Sequence, residues 1–381
     1  MTDTILGKRS WLRPPTAYET YCQDQGVPVY RGILGVRDVR ELELQPWARM
    51  GGRGAIIDLD GTGGLIGSYI IEVPPGGELN PERHLYEEVF YVLEGRGSTE
   101  IWILDPAERQ LLEWHTNTLF TAPLNTWHRI VNATDQRALI LVATNAPPVF
   151  ELYRNTEFIF GTSFHFSERY DAAPSYFEAW TRLGIDEMTG RALNAGAVVP
   201  DIVNCEIPLS GQRGAGHRHF YVRLGGNVFR GHIAEYPAGR YSKFHAHEAG
   251  PVLVCLAGEG FTLTWPKSAG TRPWETGQGH LVRRQDYKAG GIVSAAPGGS
   301  EWFHGHFASS REPVRVMAWL GGYPRRIDVP LGAEVVSRNE DLKHGGNTIE
   351  YRDEDPAIRE IFKEALARNG ASFNMPDELY E

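Results

Sequence analysis

PPGGELNPERHLYEEVFYVLEGRGSTEIW, residues 74–102, aligns without a gap on PAGRYSKFHAHEAGPVLVCLAGEGFTLTW, residues 237–265. At a constant offset of 163, Pro74 falls on Pro237, Gly76 on Gly239, His84 on His247, Val89 on Val252 and Leu93 on Leu256. Gly95 falls on Gly258, Gly97 on Gly260, Thr99 on Thr262 and Trp102 on Trp265. Nine identities that include a Gly-x-Gly pair mark an internal repeat. The first copy reads as a strand from Gly67 to Val73, a Pro-Gly turn, a second strand carrying His84, and an apolar run from Val89 to Leu93 closed by Glu94-Gly95-Arg96-Gly97. The second copy repeats this from Phe229 to Trp265. Short strands divided by Pro and Gly turns are the pattern of an antiparallel sandwich or barrel.

Working outward, each copy leads to a Pro-containing turn, an aromatic residue and a histidine: Ala122-Pro123-Leu124-Asn125-Thr126-Trp127-His128 and Pro297-Gly298-Gly299-Ser300-Glu301-Trp302-Phe303-His304. The offset has grown to 176, so the second copy carries 13 extra residues, which the polar stretch from Lys267 to Gly279 is placed to absorb. Residues 150 to about 225 are mixed: Ser175 to Trp180 reads as a short helix and Gly211 to Gly216 as a turn. From Asp353 to Asn369 a clearer helix is expected, with Pro356 in its first turn, an apolar stripe of Ile358, Ile361, Phe362, Ala365 and Leu366, and Gly370 just past its end. The organisation is thus an arm over 1–60, a barrel over 61–150, a connecting segment over 151–225, a second barrel over 226–325 and a helix-bearing segment over 326–381.

A chain of 381 residues exceeds one hydrophobic core, which agrees with two barrels. Its 43 glycines, 24 prolines and 10 tryptophans point to many tight turns rather than long helices. A net charge of -10, with no basic stripe, argues against nucleic acid as a partner. No stretch approaches the ~18 apolar residues of a membrane span, and the opening MTDTILGKRSWLRPP has no apolar leader core, so a soluble cytoplasmic protein is expected. Cys22, Cys205 and Cys255, odd in number and far apart, fit a reducing compartment.

The repeat resembles the cupin superfamily over roughly 60–145 and 225–322, and the resemblance implies an all-β fold of two tandem jelly-roll β-barrels, a bicupin, with short helices and a C-terminal helix. A cupin's first motif has the form G(x)5HxH(x)3-4E(x)6G and its second G(x)5PxGxxH(x)3N. Gly76, Glu82-Arg83-His84, Glu88, Gly95, His128 and Asn132 take these places in the first copy, and Gly239, His245-Ala246-His247, Gly258 and His304 in the second. The departures are specific. Glu82 stands for the first histidine in copy one, while Pro251 and Ala308 stand for the glutamate and asparagine in copy two.

The resemblance makes His84, Glu88 and His128, with Glu82 as a fourth member, one candidate metal set, and His245, His247 and His304 another. An HxH pair on a strand sends both imidazoles to one face because side chains alternate. Three fixed ligands leave positions open for water, dioxygen or a chelating substrate. Imidazole and carboxylate donors suit Fe, Mn, Ni or Zn, with Fe(II) preferred here for the oxygen chemistry of such a site. His306, two residues past His304, is a candidate ligand or proton-transfer group. Tyr86 is expected to line the first barrel with Glu82, His84 and Glu88, either as a candidate to hydrogen-bond a substrate or as simple packing, while Arg83 points outward. His217-Arg218-His219 lacks the downstream spacing and is read as structural. Trp127, Trp302 and Phe303 are either an aromatic wall or core.

By this resemblance the chain is similar to the bicupin ring-cleaving dioxygenases of the gentisate and hydroxynaphthoate type, acting on a small, chelating or aromatic organic acid. The alternatives are a Mn-dependent bicupin decarboxylase, lyase or isomerase, and a small-ligand-binding cupin without turnover; fold alone does not choose among them. A homodimer or larger homo-oligomer is expected, since long antiparallel sheets need their edges covered.

Overall fold

Pro74 and Gly76 end the first strand of the repeat at the point their chemistry predicts. In the computed structural model, which describes residues 14–62, 64–185, 192–211, 213–228, 230–247, 252–297, 299–320 and 340–381, Gly67–Val73 is a strand and Gly76 turns the chain at φ 62°, a left-handed conformation that favours glycine. The apolar run forms the strand Glu88–Glu94, and Gly95, at φ 93°, turns it into Arg96–Trp102. Gly258 makes the equivalent turn, at φ 78°, between Val252–Ala257 and Glu259–Pro266.

Each copy builds a sandwich of one larger and one smaller sheet, mainly antiparallel. In the first, the strands at 52–58, 67–73, 138–144, 88–94 and 119–121 lie side by side and face those at 127–131, 96–102 and 110–115. In the second, the strands at 218–224, 230–236, 314–320, 252–257 and 292–294 take the matching places, opposite those at 283–288, 259–266, 302–308 and 244–245. The offset between matching strands is 163 at Arg96 and Glu259, 173 at Gln110 and Arg283, and 176 at Ala138 and Val314. The connection after Pro266 therefore takes ten of the thirteen extra residues, and the loop before Trp302 takes the rest. The sandwiches also exchange strands. Gly35–Val36, from ahead of the first, pairs with Ile292–Ser294 of the second, and Val198–Val199, from between them, pairs with Leu119–Thr121 of the first.

Alternation then sorts the side chains. On Glu88–Glu94, Phe90 and Val92 enter the first lumen beside Tyr69, Ile71 and Ile140, whereas Val89, Tyr91 and Leu93 join Leu141, Val254, Met317 and Trp319 in a core shared by the two larger sheets. Burying each such side chain contributes roughly 1.5–3 kcal/mol, so this shared core is a main tie between the barrels. On Trp302–Ala308, Phe303 and Phe307 face out while His304 and His306 occupy the alternate positions. Against those outer rings lies the C-terminal helix Pro356–Arg368, capped by Asp355, whose carboxylate accepts from the Ala357 amide at 3.0 Å. Its Ile358, Phe362, Ala365 and Leu366 pack on Phe244, Phe261, Phe303 and Phe307, so the helix closes over the second barrel's smaller sheet.

Three shorter helices, α1 (Ala17–Asp24), α2 (Ala146–Tyr153) and α3 (Thr156–Gly161), pack together beside the first barrel. The helix expected over Ser175–Trp180 is a single 3-10 turn, Pro174–Phe177, because the Trp180 amide leaves to bond Val198 O at 2.8 Å. Among the described residues no helix is long and apolar enough to cross a membrane.

Candidate metal centres

In the second barrel the strand Phe244–His245 pairs with both Trp302–Ala308 and Thr348–Ile349, and His245 stands directly opposite His304 on one side and Thr348 on the other. His247 follows just beyond the strand end. The imidazole centroids lie 4.2 Å apart for His245 and His304, 4.7 Å for His247 and His304, and 5.5 Å for His245 and His247. One ligand nitrogen from each lies within 4.8 Å of the others. The ring of His245 is set by its own chain: Nδ1 donates to Lys243 O at 2.9 Å, which leaves Nε2 with its lone pair for a ligand. Burial disfavours charge on His245 and on His304, and neighbouring imidazoles and Arg213 add to it, so both are held well below the usual histidine range. These are neutral imidazoles at neutral pH, the form that binds metal.

His306 lies on the same side of the strand as His304, its ring centroid 5.4 Å away. Its Nδ1 is 3.0 Å from Thr262 Oγ1, and burial, with His247 and Arg213 beside it, pushes its pKa down to about 3. Among the described residues it stands next to the three-histidine group and outside it.

The first barrel brings Glu82, His84, Glu88 and His128 together, again with one ligand atom each inside 4.8 Å. His84 Nε2 lies 3.2 Å from Glu88 Oε2, and His128 Nε2 lies 3.8 Å from Glu82 Oε1 and 3.9 Å from Glu88 Oε2. Both imidazoles turn Nδ1 to backbone carbonyls, His84 to Tyr86 O at 2.8 Å and His128 to Thr126 O at 3.2 Å. His128 Nε2 is buried with no hydrogen-bond partner, as are both ring nitrogens of His304 in the other barrel. Unsatisfied buried donors and acceptors are costly unless something pairs with them, and converging imidazole and carboxylate atoms fit a divalent ion. Burial works against a charged His84, but Glu88 and Glu82 outweigh it and raise its pKa; His128 is lowered by burial and by His84. Burial works to raise the pKa of Glu82, but Arg49 and the two imidazoles outweigh it and hold the carboxyl below the usual range.

The two centres are built on one plan. Glu82 bridges His128 as His245 pairs with His304, so Glu82 fills the slot of the missing first histidine. Two sequence expectations need correction. His84 is not on a regular strand: only Glu82 makes a ladder contact, and the chain from Arg83 to Glu87 is irregular. Tyr86 nevertheless joins the core of the first lumen, its ring stacked flat on that of His84 at 3.6 Å. In the second barrel the HxH strand is two residues long, and Pro251, in the place of the glutamate, lies outside the described residues.

His217 and His219 do not join the metal group; their buried rings stack on Tyr236 and His232 at 5.1 and 4.7 Å. Trp127 stacks on Trp102 at 6.1 Å and Phe303 lies in the outer core, so both are packing residues, and Trp302 lies beneath the Arg283 guanidinium. Asn132 ties its turn through Pro74 O and Gln136 O at 3.1 and 2.7 Å.

Three residues near the centres carry no motif signal. Tyr69 donates its hydroxyl to Glu88 Oε1 at 2.8 Å, Arg49 pairs with Glu82 Oε2, and the buried Arg213 donates to Thr348 Oγ1 at 3.1 Å beside His245. Comparing the copies finds a trace of the two arginines, since each precedes the matching strand, 52–58 or 218–224, by a few residues.

Residues 69–144 match the family model described as a cupin domain. Among curated proteins, auxin-binding protein 4 of Zea mays is 31% identical over 124 residues, which is 30% of this chain and 59% of that protein, so the chain spans under two thirds of the relative's length. Among solved structures, oxalate decarboxylase from Bacillus subtilis is 13% identical with a TM-score of 0.47, covering 74% of this chain and 75% of that one. Vicilin from Corylus avellana is 12% identical with a TM-score of 0.43, covering 74% and 84%. The first repeat thus matches the cupin-domain model over residues 69–144, and the second is a sandwich built on the same strand order.

Proposed function

We propose that the chain is a metal-dependent dioxygenase whose second barrel holds Fe(II) on His245, His247 and His304 and takes a small chelating organic acid, aromatic in the simplest case. The observation that carries this reading is the convergence of three imidazole nitrogens within 4.8 Å, with His245 and His304 kept neutral by burial. An Fe(II) ion on a three-nitrogen face supplies open positions where dioxygen and a bidentate substrate meet. Around it the protein's own groups have separate tasks. The Lys243 carbonyl fixes the tautomer of His245, Arg213 draws the acid's negative charge towards the imidazoles, and His306, held by Thr262, is placed to take up or return a proton. The buried Tyr236 packs beside His306, ring centroids 5.8 Å apart, with His217 stacked on it at 5.1 Å.

A second reading has one observation in its favour. The first barrel sets two carboxylates among its imidazoles, a donor set suited to Mn and to decarboxylation, lyase or isomerase chemistry in which a carboxylate carries a proton. Metal analysis of aerobically and anaerobically purified protein, with oxygen uptake on a panel of dihydroxy-aromatic acids, tests the first reading. Oxygen consumption dependent on iron supports it; carbon dioxide released from a small acid without oxygen uptake replaces it with the second, and tight binding with no turnover of any member replaces both. We further propose a homodimer or larger assembly, in line with the exposed Leu152, Tyr153, Phe158 and Phe164 beside α2 and α3. A monomer mass by light scattering at all concentrations ends that proposal.

A further inference from the structure

Glu88, a candidate ligand of the first centre through its side chain, is held through its backbone by a hydrogen-bonded ring that closes outside its own barrel. Its carbonyl accepts from the Thr121 hydroxyl at 2.6 Å, and that hydroxyl accepts from Asn227 Nδ2, also at 2.6 Å. Asn227 lies on the loop between the strands at 218–224 and 230–236, both of the second barrel. Its Oδ1 accepts from Arg169 Nη2 at 3.0 Å, and the same amino group donates to Glu87 Oε1 at 2.6 Å. The buried Glu87 also accepts at Oε2 from the Val228 amide at 2.9 Å, and its own amide donates to Asn145 Oδ1 at 2.7 Å. The ring thus leaves the first barrel at Glu87 and returns at the next residue, Glu88. Gly225, at φ 55°, lets the loop come this close, since a Cβ there would lie 2.7 Å from Thr121 Cγ2.

Donor chemistry allows this ring one arrangement. An arginine only donates, so Asn227 turns its oxygen to Arg169 and its amino group to Thr121. The Thr121 hydroxyl then has one proton to give, and Glu88 O at 2.6 Å is a nearer acceptor than Ala122 O at 3.3 Å. Linked bonds of this kind polarise and strengthen one another. The second copy is built differently. Ser294 pairs with Val252 as Thr121 pairs with Val89, yet among the described residues the buried Ser294 hydroxyl has no hydrogen-bond partner. We propose that Asn227 and Thr121 are positioning residues of the first metal centre: the loop leading into the second barrel sets the backbone of Glu88, and with it the affinity of the first centre for a divalent ion. The path runs through the second barrel's loop and not through its three histidines, so the two ions remain independent. This role requires a divalent ion in the first centre and is separate from the reaction proposed for the second.

The test uses the full chain with His247→Ala, so that cobalt(II) loaded afterwards reports on the first centre, and measures cobalt affinity by chelator competition while following the absorption spectrum. Thr121→Val keeps the shape and removes the hydroxyl; Asn227→Ala removes the donor that orients it. Each is expected to weaken cobalt about 10-fold, the lower end of the ~10–100-fold that an outer partner is worth, and to change the spectrum. Because both act on one path, the double variant should lose no more than the weaker-binding single, whereas independent effects would multiply to about 100-fold. Thr121→Ser restores the hydroxyl and should bind cobalt within about 2-fold of the parent. In the reciprocal chain, with His128→Ala in place of His247→Ala, neither substitution should move the affinity of the second centre. Should Thr121→Val fail to fold, Asn227→Ala decides, since Asn227 is half-buried and lies outside the strands. Unchanged affinity in Asn227→Ala, losses that multiply, a Thr121→Ser as weak as Thr121→Val, or an equal loss at the second centre each overturns the positioning role while leaving the metal centre standing. No cobalt in the first barrel overturns both.

Discussion

One fold has produced two centres of opposite electrical character. In the first barrel, carboxylates at Glu82 and Glu88 sit among the imidazoles, and their charge raises the pKa of His84 despite its burial. In the second, the described members are imidazoles alone, and burial beside Arg213 holds His245 and His304 low. The exchange at one structural slot, Glu82 for His245, accounts for much of this, because both occupy the position that pairs with the later histidine. A duplicated scaffold thus keeps its hydrogen-bond ladder while a single ligand position resets the charge offered to the metal.

The sharpest way to break the comparison is to empty one centre at a time. His304→Ala should lower metal affinity in the second barrel by well over the ~100-fold that loss of an outer partner causes, and turnover should vanish with it. His128→Ala should do the same to the first centre and spare turnover. Plasma mass spectrometry should read a fall from about two ions per chain to about one in either variant. If either substitution drains both barrels, the centres are not independent and the contrast between them collapses.

The metal-free protein should also respond to pH from both ends. For His306, with a folded pKa of about 3 against an unfolded value near 6.5, stability is present above ~6.5 and is lost as pH falls towards 3, because only the unfolded chain takes up the proton. His245 and His304 act in the same direction. The shift at His306 alone amounts to several kcal/mol in order of magnitude. His84 has the reverse sign: its raised pKa stabilises below ~6.5, and that contribution is lost as pH rises through the folded value. Melting curves of metal-free His306→Asn and His84→Asn proteins separate the two, the first flattening the acid limb and the second the alkaline one. A wild-type acid limb that His306→Asn leaves unchanged removes the argument for the second barrel.

How much of this was legible beforehand follows from what each signal depends on. The strands Gly67–Val73 and Glu88–Glu94 and the helix Pro356–Arg368 were readable because their punctuation is local: a Pro-Gly turn, a glycine after the apolar run, and a proline in the helix's first turn with a glycine past its end. That the two candidate sets would cluster was readable because a repeat with spaced histidines carries its own register. The strand expected through His84 was misjudged because alternation holds only on a regular strand, and the chain from Arg83 to Glu87 is not one. Tyr69 was invisible, and Arg49 and Arg213 left only their matching places ahead of the strands 52–58 and 218–224, because all three reach the centres through tertiary contacts from segments with no motif. The exchanged strands Gly35–Val36 and Val198–Val199 are each two residues long, too short for any periodicity.

A milder test asks how far the first centre relies on groups behind its ligands. Tyr69→Phe removes the hydroxyl that holds Glu88 Oε1 at 2.8 Å while keeping the ring against Trp47 at 5.4 Å. An outer partner of this kind is worth ~10–100-fold in metal affinity, and with one of several restraints lost the lower end is expected. Chelator competition should show a loss of about 10-fold in the first barrel and none in the second. An equal loss in both would mean that the substitution loosens the shared core.

The smallest expected effect belongs to Tyr86, and its size decides which barrel carries the chemistry. Its ring lies 3.6 Å from that of His84 with 5° between the planes, at 3% exposure, against Phe150 and Phe160. Burial, with Tyr21 and the nearby carboxylates adding to it, holds the phenol well above its ordinary pKa, so it stays protonated and is no base at neutral pH. What Tyr86 supplies is a flat face that fixes the ring of His84, and phenylalanine supplies the same face. Tyr86→Phe should therefore leave metal content unchanged and turnover within about 2-fold, whereas Tyr86→Ala opens a cavity behind His84 and costs about 3–5 kcal/mol of stability. The pair of variants distinguishes packing from chemistry. If Tyr86→Phe keeps its metal yet loses turnover by 10-fold or more, a hydroxyl in the first barrel touches the substrate, and the reaction belongs with Glu82, His84, Glu88 and His128 rather than with the three imidazoles of the second.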